Sequence, residues 1–147
     1  LLGWLSDYHA LPVDQITRQA IAARGFGDRV GVVAGDMLEE PLPPGFDVHL
    51  YSNVLHDWDV PLVRRLLEKS FEALRPGGVL VIHDAFLNRA KDGPLHVAEY
   101  SVMLMHATQG RCYGVVELEG WLRAAGFADC QEVPGGAARG GLVARTP

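Results

Sequence analysis

Residues 46–61 read FDVHLYSNVLHDWDVP, and this stretch decides how the rest of the chain is interpreted. Its apolar run, Val48 to Tyr51, follows Gly45 and leads into polar residues, which predicts a buried strand that opens into a loop. Ligands of open α/β sheets bind in the loops at this end of the strands. His56 lies in that loop and changes protonation near neutral pH. It is therefore either a general base or a loop histidine that hydrogen-bonds the next helix.

The residues after this loop predict a helix and a second, parallel strand. Asp59 suits the N-cap position and Pro61 the first turn, and an apolar stripe follows with helical spacing. A Pro-Gly-Gly turn then leads to the apolar run Val79 to Ile82, which ends at His83 and Asp84. Asp84 should project from the same sheet edge as His56 and accept its second ring N–H, although a turn-forming aspartate fits too. We expect His83 to face a packing helix.

Upstream, we predict a helix from Pro12 to Arg24 and a buried strand from Val30 to Ala34. The strand ends at Gly35, Asp36 and Met37. A carboxylate that can bind an amine, next to a polarizable thioether, suits the edge and face of an adenine ring. Gly-Asp is also a common turn pair, so these residues alone leave both interpretations open.

Downstream, residues 96–109 predict a helix that carries Tyr100, Met103 and Met105. Such a stripe is typical of a core, and part of it could instead line an adaptable apolar pocket. Residues 110–114 form a loop, and a short helix follows from Val115 to Ala125. Residues 129–133 and 141–144 then predict two antiparallel strands joined by a glycine-rich turn.

Composition narrows the possible functions. The chain has 147 residues, of which 48% are apolar, enough for one domain with a core. The net charge of −5 and the lack of basic runs argue against nucleic-acid binding. Two distant cysteines, Cys112 and Cys130, indicate reduced thiols and a cytoplasmic protein rather than a disulfide framework. Leu1 to Leu5 is too short to span a membrane, and the histidine spacing predicts no metal site.

Four segments together resemble one known family: RVGVVAGDM, DVHLYSNVLHDWD, ALRPGGVLVIHDAFL and ELEGWLRAAGF. In order and spacing they are similar to the plant- and bacterial-type small-molecule O-methyltransferases, which depend on S-adenosylmethionine. The resemblance implies an α/β fold, a Rossmann-like class I methyltransferase sheet that is mostly parallel with an antiparallel C-terminal hairpin. It further implies a small hydroxylated acceptor, aromatic in character, no membrane partner, and a homodimer in the full-length protein.

The resemblance also implies roles for individual residues. His56 would deprotonate the acceptor hydroxyl, and Asp84 would steady His56. On the cofactor side it implies adenine contacts from Asp36 and Met37 and a nearby Ser52. On the acceptor side we expect contacts from Asp57, Met103 and Cys112.

The chain departs from the family pattern in several places. Cys112 stands where the family has a second acidic residue beside the base, and Ala10 stands where an acidic residue binds ribose, with Asp7 out of register. No glycine-rich loop follows a first strand. We therefore expect residues 1–147 to be an N-terminally truncated catalytic domain without the first strand and the dimerisation domain. The strand from Val30 to Ala34 would then lack a neighbour, so the chain would be marginally stable or associating.

Two alternatives follow from these departures. One is a non-catalytic remnant that folds but binds no cofactor. The other is a dinucleotide-dependent reductase of similar topology, which would need a glycine fingerprint and a Tyr/Lys pair that we do not find.

Overall fold

The computed structural model describes residues 2–5, 13–136 and 139–147. The chain divides into two compact units, Leu1–Leu42 and Pro43–Pro147. Among the described residues, no helix is both long and apolar enough to cross a membrane.

The first unit contains a two-stranded parallel sheet and one helix. Strand β1 (Leu2–Leu5) pairs with β2 (Gly31–Ala34), and α1 (Val13–Ala23) connects them. The expectation that the strand before Gly35 has no neighbour was therefore wrong. The LGWL segment supplies the pairing partner, because four apolar residues are enough for a short strand even without a longer sequence signal. The helix and strand predicted here are confirmed, and Pro12 lies outside the described residues.

The second unit is built on a four-stranded mixed sheet in the order β3-β4-β6-β5. Strands β3 (Phe46–Ser52) and β4 (Leu74–Asp84) are parallel, and β6 (Gly140–Arg145) runs antiparallel to both β4 and β5 (Ala128–Val133). The parallel pair and the antiparallel hairpin confirm the predicted order of strands. Asp84 at the end of β4 pairs with Gly140 at the start of β6.

Helix α2 (Val60–Ala73) connects β3 and β4 as predicted. Asp59 Oδ1 accepts a hydrogen bond from the Leu62 N–H at 3.0 Å, which satisfies a free donor of the first turn. The predicted apolar stripe faces the core, with Val63, Leu66 and Leu67 fully buried. Burial of three such side chains stabilises the unit by about 1.5–3 kcal/mol for each.

Two predictions about neighbouring strands were wrong. Val48 and Leu50 are 54% and 58% exposed, although the apolar run predicted a buried strand. Strand β3 lies at one end of the four-stranded sheet, and alternate side chains of a strand point to opposite faces, so Tyr51 is buried while its neighbour is exposed. His83 was expected to face a helix, and it is exposed instead, with Nδ1 3.0 Å from Ser52 Oγ on the adjacent strand.

Helices α3 (Leu95–Ala107) and α4 (Val115–Ala124) confirm the remaining helical predictions. A small apolar cluster joins α3 to the residues around it and consists of Ala85, Val97, Leu104 and Cys112. Met103 and Met105 do not belong to this core, since both are more than half exposed on the surface of α3.

Candidate functional site

The candidate site begins where β3 ends. Asn53 adopts a positive φ of 55° and its N–H donates to the His83 carbonyl at 3.0 Å, which turns the chain away from the sheet. A single 3₁₀ turn, Leu55–Asp57, follows before α2 begins. His56 is therefore held on a short, hydrogen-bonded turn at the carboxyl end of the sheet, and only 5% of it is exposed.

Asp84 binds His56 directly. His56 Nδ1 lies 2.5 Å from Asp84 Oδ1, and the Ala85 N–H donates to the same oxygen at 2.8 Å. An ionised carboxylate can only accept, so Nδ1 carries the proton and Nε2 keeps its lone pair. Asp84 is 3% exposed, so this contact is shielded from water. The pair has the geometry of a general base with an orienting carboxylate.

Nε2 faces two further side chains. The Tyr100 hydroxyl lies 3.3 Å from it, and since Nε2 holds the lone pair, this hydroxyl donates. The Asp57 carboxylate lies 3.6 Å from the same nitrogen. Burial raises the pKa of Asp57, while the nearby His56 opposes that change. The proton-accepting nitrogen therefore has one phenol and one carboxylate beside it.

The segment of residues 109–114 holds this turn through hydrogen bonds and a close backbone contact. The Gln109 N–H donates to the Asp57 carbonyl at 3.2 Å, and the Tyr113 hydroxyl donates to the Trp58 carbonyl at 2.5 Å. Gly110 packs so closely that a Cβ added there would overlap the backbones of His56 and Trp58. The identity of Gly110 is thus set by contact with the turn that carries His56.

The residues predicted for the acceptor side differ in exposure. Cys112 is fully buried, and its N–H donates to Ser101 Oγ at 3.1 Å. Burial raises the pKa of its thiol to about 11, with a further contribution from the charge of Asp84. Met103 is 55% exposed on α3. The assignment of these two residues and of Asp57 to acceptor binding stays a prediction.

The residues predicted for the cofactor side lie at the ends of β2 and β3. In the first unit, Asp36 is exposed and its Oδ1 accepts from the Leu38 N–H at 2.8 Å, while Met37 is half-buried. In the second unit, Ser52 is exposed at the end of β3. An oriented carboxylate, which accepts from the adenine amine, beside a thioether, which packs on the ring, means that Asp36 and Met37 suit the predicted cofactor. Asp7 and Ala10, considered for the ribose, lie outside the described residues.

Sequence reasoning missed the contacts that two side chains make. Tyr100 was noted only as part of a helical stripe, yet its hydroxyl lies 3.3 Å from His56 Nε2. Arg139 was not singled out, and its Nη1 lies 3.9 Å from Asp84 Oδ1. The predicted antiparallel pairing could have indicated Arg139, because the residue that precedes β6 lies near the end of β4, where Asp84 pairs with Gly140. Within the described ranges no three histidine, cysteine or acidic side chains form a metal-binding group.

Comparison with known proteins gives a consistent result. Residues 11–128 of this chain match the sequence pattern of the O-methyltransferase domain family. The 3-hydroxy-5-methyl-1-naphthoate 3-O-methyltransferase of Streptomyces sahachiroi is 38% identical over 115 residues, which cover 78% of this chain and 33% of that protein.

Solved structures match in the same way. An O-methyltransferase family 2 protein from Planctomyces limnophilus, in complex with apigenin, has a TM-score of 0.81 and 39% identity over 90% of this chain and 39% of its own. Human N-acetylserotonin methyltransferase, in complex with S-adenosylmethionine, has a TM-score of 0.86 and 27% identity over 99% of this chain and 40% of its own.

The chain thus spans about a third of the length of the curated relative and about two fifths of the solved ones. The matches favour the methyltransferase interpretation over the reductase alternative, and they confirm the α/β class I methyltransferase fold. The chain belongs to the O-methyltransferase domain family.

Proposed function

We propose that this chain is the base-bearing part of an S-adenosylmethionine-dependent enzyme that methylates a hydroxyl group of a small aromatic metabolite. The observation that carries the proposal is the 2.5 Å contact between His56 Nδ1 and Asp84 Oδ1, which leaves Nε2 able to accept a proton. Family membership supports the reaction class. The hydroxynaphthoate, N-acetylserotonin and apigenin in the names of the relatives support a small aromatic acceptor.

In this proposal His56 Nε2 takes the proton of the acceptor hydroxyl. Asp84 then stabilises the positively charged imidazole, and the burial of both side chains strengthens that interaction. The Asp57 carboxylate lies 3.6 Å from Nε2, the atom that would receive the proton. S-adenosylmethionine, when bound, supplies a methyl group that is already activated by its sulfonium, which leaves the protein to provide a base, orientation and a dry site.

The remaining roles follow the same assignment. Asp36, Met37 and Ser52 would hold the cofactor, while Asp57, Met103 and Cys112 would line the acceptor side. The full-length protein would be a cytoplasmic homodimer: the location is inferred from its reduced cysteines, and the dimer from the family resemblance.

The role of His56 is tested in the full-length protein with His56→Gln. We expect kcat to fall by about 10²–10⁴-fold, the usual contribution of a general base, while the affinity for S-adenosylhomocysteine is unchanged. His106→Gln is the matched control, because His106 is exposed on α3 and its Nδ1 bonds the Val102 carbonyl of its own helix. Normal turnover of the His56 variant would show that another group is the base.

The cofactor assignment is tested by calorimetric titration of the 147-residue chain with S-adenosylhomocysteine. Micromolar binding that Asp36→Asn weakens would support the enzyme. If the folded chain does not bind it, the alternative of a non-catalytic, methyltransferase-like fragment gains support.

A further inference from the structure

A small cavity lies beside the base, and one of its walls is a cation. Its lining consists of Ala85, His96, Val97, Tyr100 and Arg139, and its volume is about 120 Å³. That is roughly the volume of four water molecules in the liquid, enough for a carboxylate group. The other walls supply two apolar side chains, an imidazole and an aromatic ring, so Arg139 is the wall that carries a permanent charge.

One nitrogen of the Arg139 guanidinium, Nη1, makes no hydrogen bond within the described residues. Nη1 is shielded from solvent, yet within the described ranges no acceptor lies at hydrogen-bond distance from it. The nearest carboxylate oxygen, Asp84 Oδ1, is 3.9 Å away, and it already accepts from His56 and from the Ala85 N–H. A buried donor without a partner is uncommon in folded proteins and often marks the place of an additional group.

The position of this donor relates it to the base. The ring of Tyr100 lies 5.5 Å from the His56 ring and 5.7 Å from the Arg139 guanidinium carbon, measured to the ring centre. Both groups therefore lie beside the ring of Tyr100, and both approach the same carboxylate oxygen, since Asp84 Oδ1 is 2.5 Å from His56 Nδ1 and 3.9 Å from Arg139 Nη1. A single aromatic molecule could place a hydroxyl at His56 and a second substituent at Arg139.

We propose that Arg139 is a specificity-determining residue that binds a carboxylate carried by the acceptor, so that the acceptor class is hydroxylated aromatic acids. This inference rests on the proposed function. A guanidinium offers a planar pair of N–H donors that matches a carboxylate, and its charge compensates for removing that carboxylate from water. The apolar lining from Ala85 and Val97 strengthens the contact by excluding water.

A purely structural role for Arg139 makes a different prediction. If it served only as a distant countercharge for Asp84, its loss would affect acids and neutral analogues of the acceptor alike. A carboxylate contact, in contrast, would change the preference between an acid and its amide. The ratio of the affinities for acid and amide is therefore the quantity to measure, because a general loss of stability would weaken the binding of both alike.

The test is a calorimetric titration of the folded 147-residue chain with 3-hydroxybenzoate and with 3-hydroxybenzamide at neutral pH. We expect the acid to bind about tenfold or more tightly than the amide, as for a hydrogen bond to a charged group. In Arg139→Gln this preference should disappear, and in Arg139→Lys it should be partly retained. Arg64→Gln, which removes an exposed arginine of α2, should leave the preference unchanged.

Equal binding of the two probes by the wild-type chain, or no binding of either, would overturn the proposal without any variant. Retention of the full preference in Arg139→Gln would overturn it as well. Methyl transfer by the full-length protein separates this result from the proposed function. Equal methylation of acid and amide would reject the carboxylate site alone, whereas a preference in binding without any transfer would support the site and count against the enzyme.

Discussion

Both ring nitrogens of His56 already have partners in this structure. Asp84 holds Nδ1, and the Tyr100 hydroxyl donates to Nε2 at 3.3 Å. The tyrosine side chain is a phenol, so it occupies the nitrogen that the hydroxyl of a phenolic acceptor would need. An incoming acceptor must therefore displace this internal hydrogen bond, and its binding is weaker by the net free energy of that bond, about 1 kcal/mol.

Tyr100→Phe should therefore strengthen the binding of a phenolic probe such as 3-hydroxybenzamide by about fivefold, the equivalent of about 1 kcal/mol. The ring and its packing stay in place, so only the competing hydroxyl is removed. Titration calorimetry of both chains measures the change. Weaker binding by the variant would instead mean that the Tyr100 hydroxyl contacts the acceptor directly.

At the level of single residues, the sequence was informative where a general rule of sheets applied. The His56–Asp84 pair could be predicted because two parallel strands present their ends at one edge. Tyr100 lies 44 residues from His56 in sequence, on a helix whose rotation about its axis no pattern fixes. Arg139 depends on the register of a strand pair, which becomes visible only when the Asp84–Gly140 pairing is known.

The 3₁₀ turn that carries His56 and the segment of residues 109–114 form one structural element of the site. The two segments share the hydrogen bond from Gln109 to Asp57, and Tyr113 binds the Trp58 carbonyl. Gly110 is buried where the two backbones approach each other. A change in this segment should therefore alter the position of His56 as well as the stability of the unit.

Gly110→Ala should destabilise the chain by about 1–3 kcal/mol, because the added methyl group overlaps backbone atoms that cannot rotate away. Gly120→Ala is a matched control, since Gly120 is exposed within α4 and nothing lies within 4 Å of its added Cβ. That substitution should stabilise the chain by about 0.5–1 kcal/mol. Urea unfolding measures both, and equal effects of the two would contradict the close contact at Gly110.

Secondary-structure elements were predicted well where caps and stripes coincide. Helix α2 has an N-cap, a proline in its first turn and an apolar face, and all three agree with the structure. The pattern does not identify β1, because four apolar residues are too few to distinguish a strand. The burial of β3 was overestimated, since an apolar run does not reveal that Val48 and Leu50 lie on an exposed face of an end strand.

The stability of the whole chain in acid should depend on Glu117. This carboxylate is bound by Arg111 and Lys91, and it accepts from the Gly114 N–H at 2.9 Å. Burial raises the pKa of Glu117, but the hydrogen bonds from these partners outweigh it and lower the pKa from 4.5 to about 2. Because the folded value is the lower one, the unfolded chain binds the proton more tightly.

The stabilisation from Glu117 should therefore be complete above pH 4.5 and be lost as the pH falls from there through about 2. We expect the wild-type chain to lose about 2 kcal/mol more than Glu117→Gln over this interval, a value that allows for solvent around a partly exposed side chain. Urea unfolding across the pH range measures it. Glu72→Gln, at an exposed position of α2, should parallel the wild type, and a Glu117 variant that did so too would refute the assignment.

The position of β6 has a consequence for the time course of synthesis. Although it follows all the other strands of its sheet in sequence, β6 lies inside the sheet, between β4 and β5. During synthesis β3, α2, β4 and β5 therefore emerge from the ribosome before β6, the strand that pairs with both β4 and β5. Until residues 140–145 emerge, β4 lacks its inner neighbour, so the nascent unit stays open to chaperones and closes only in a late, cooperative step.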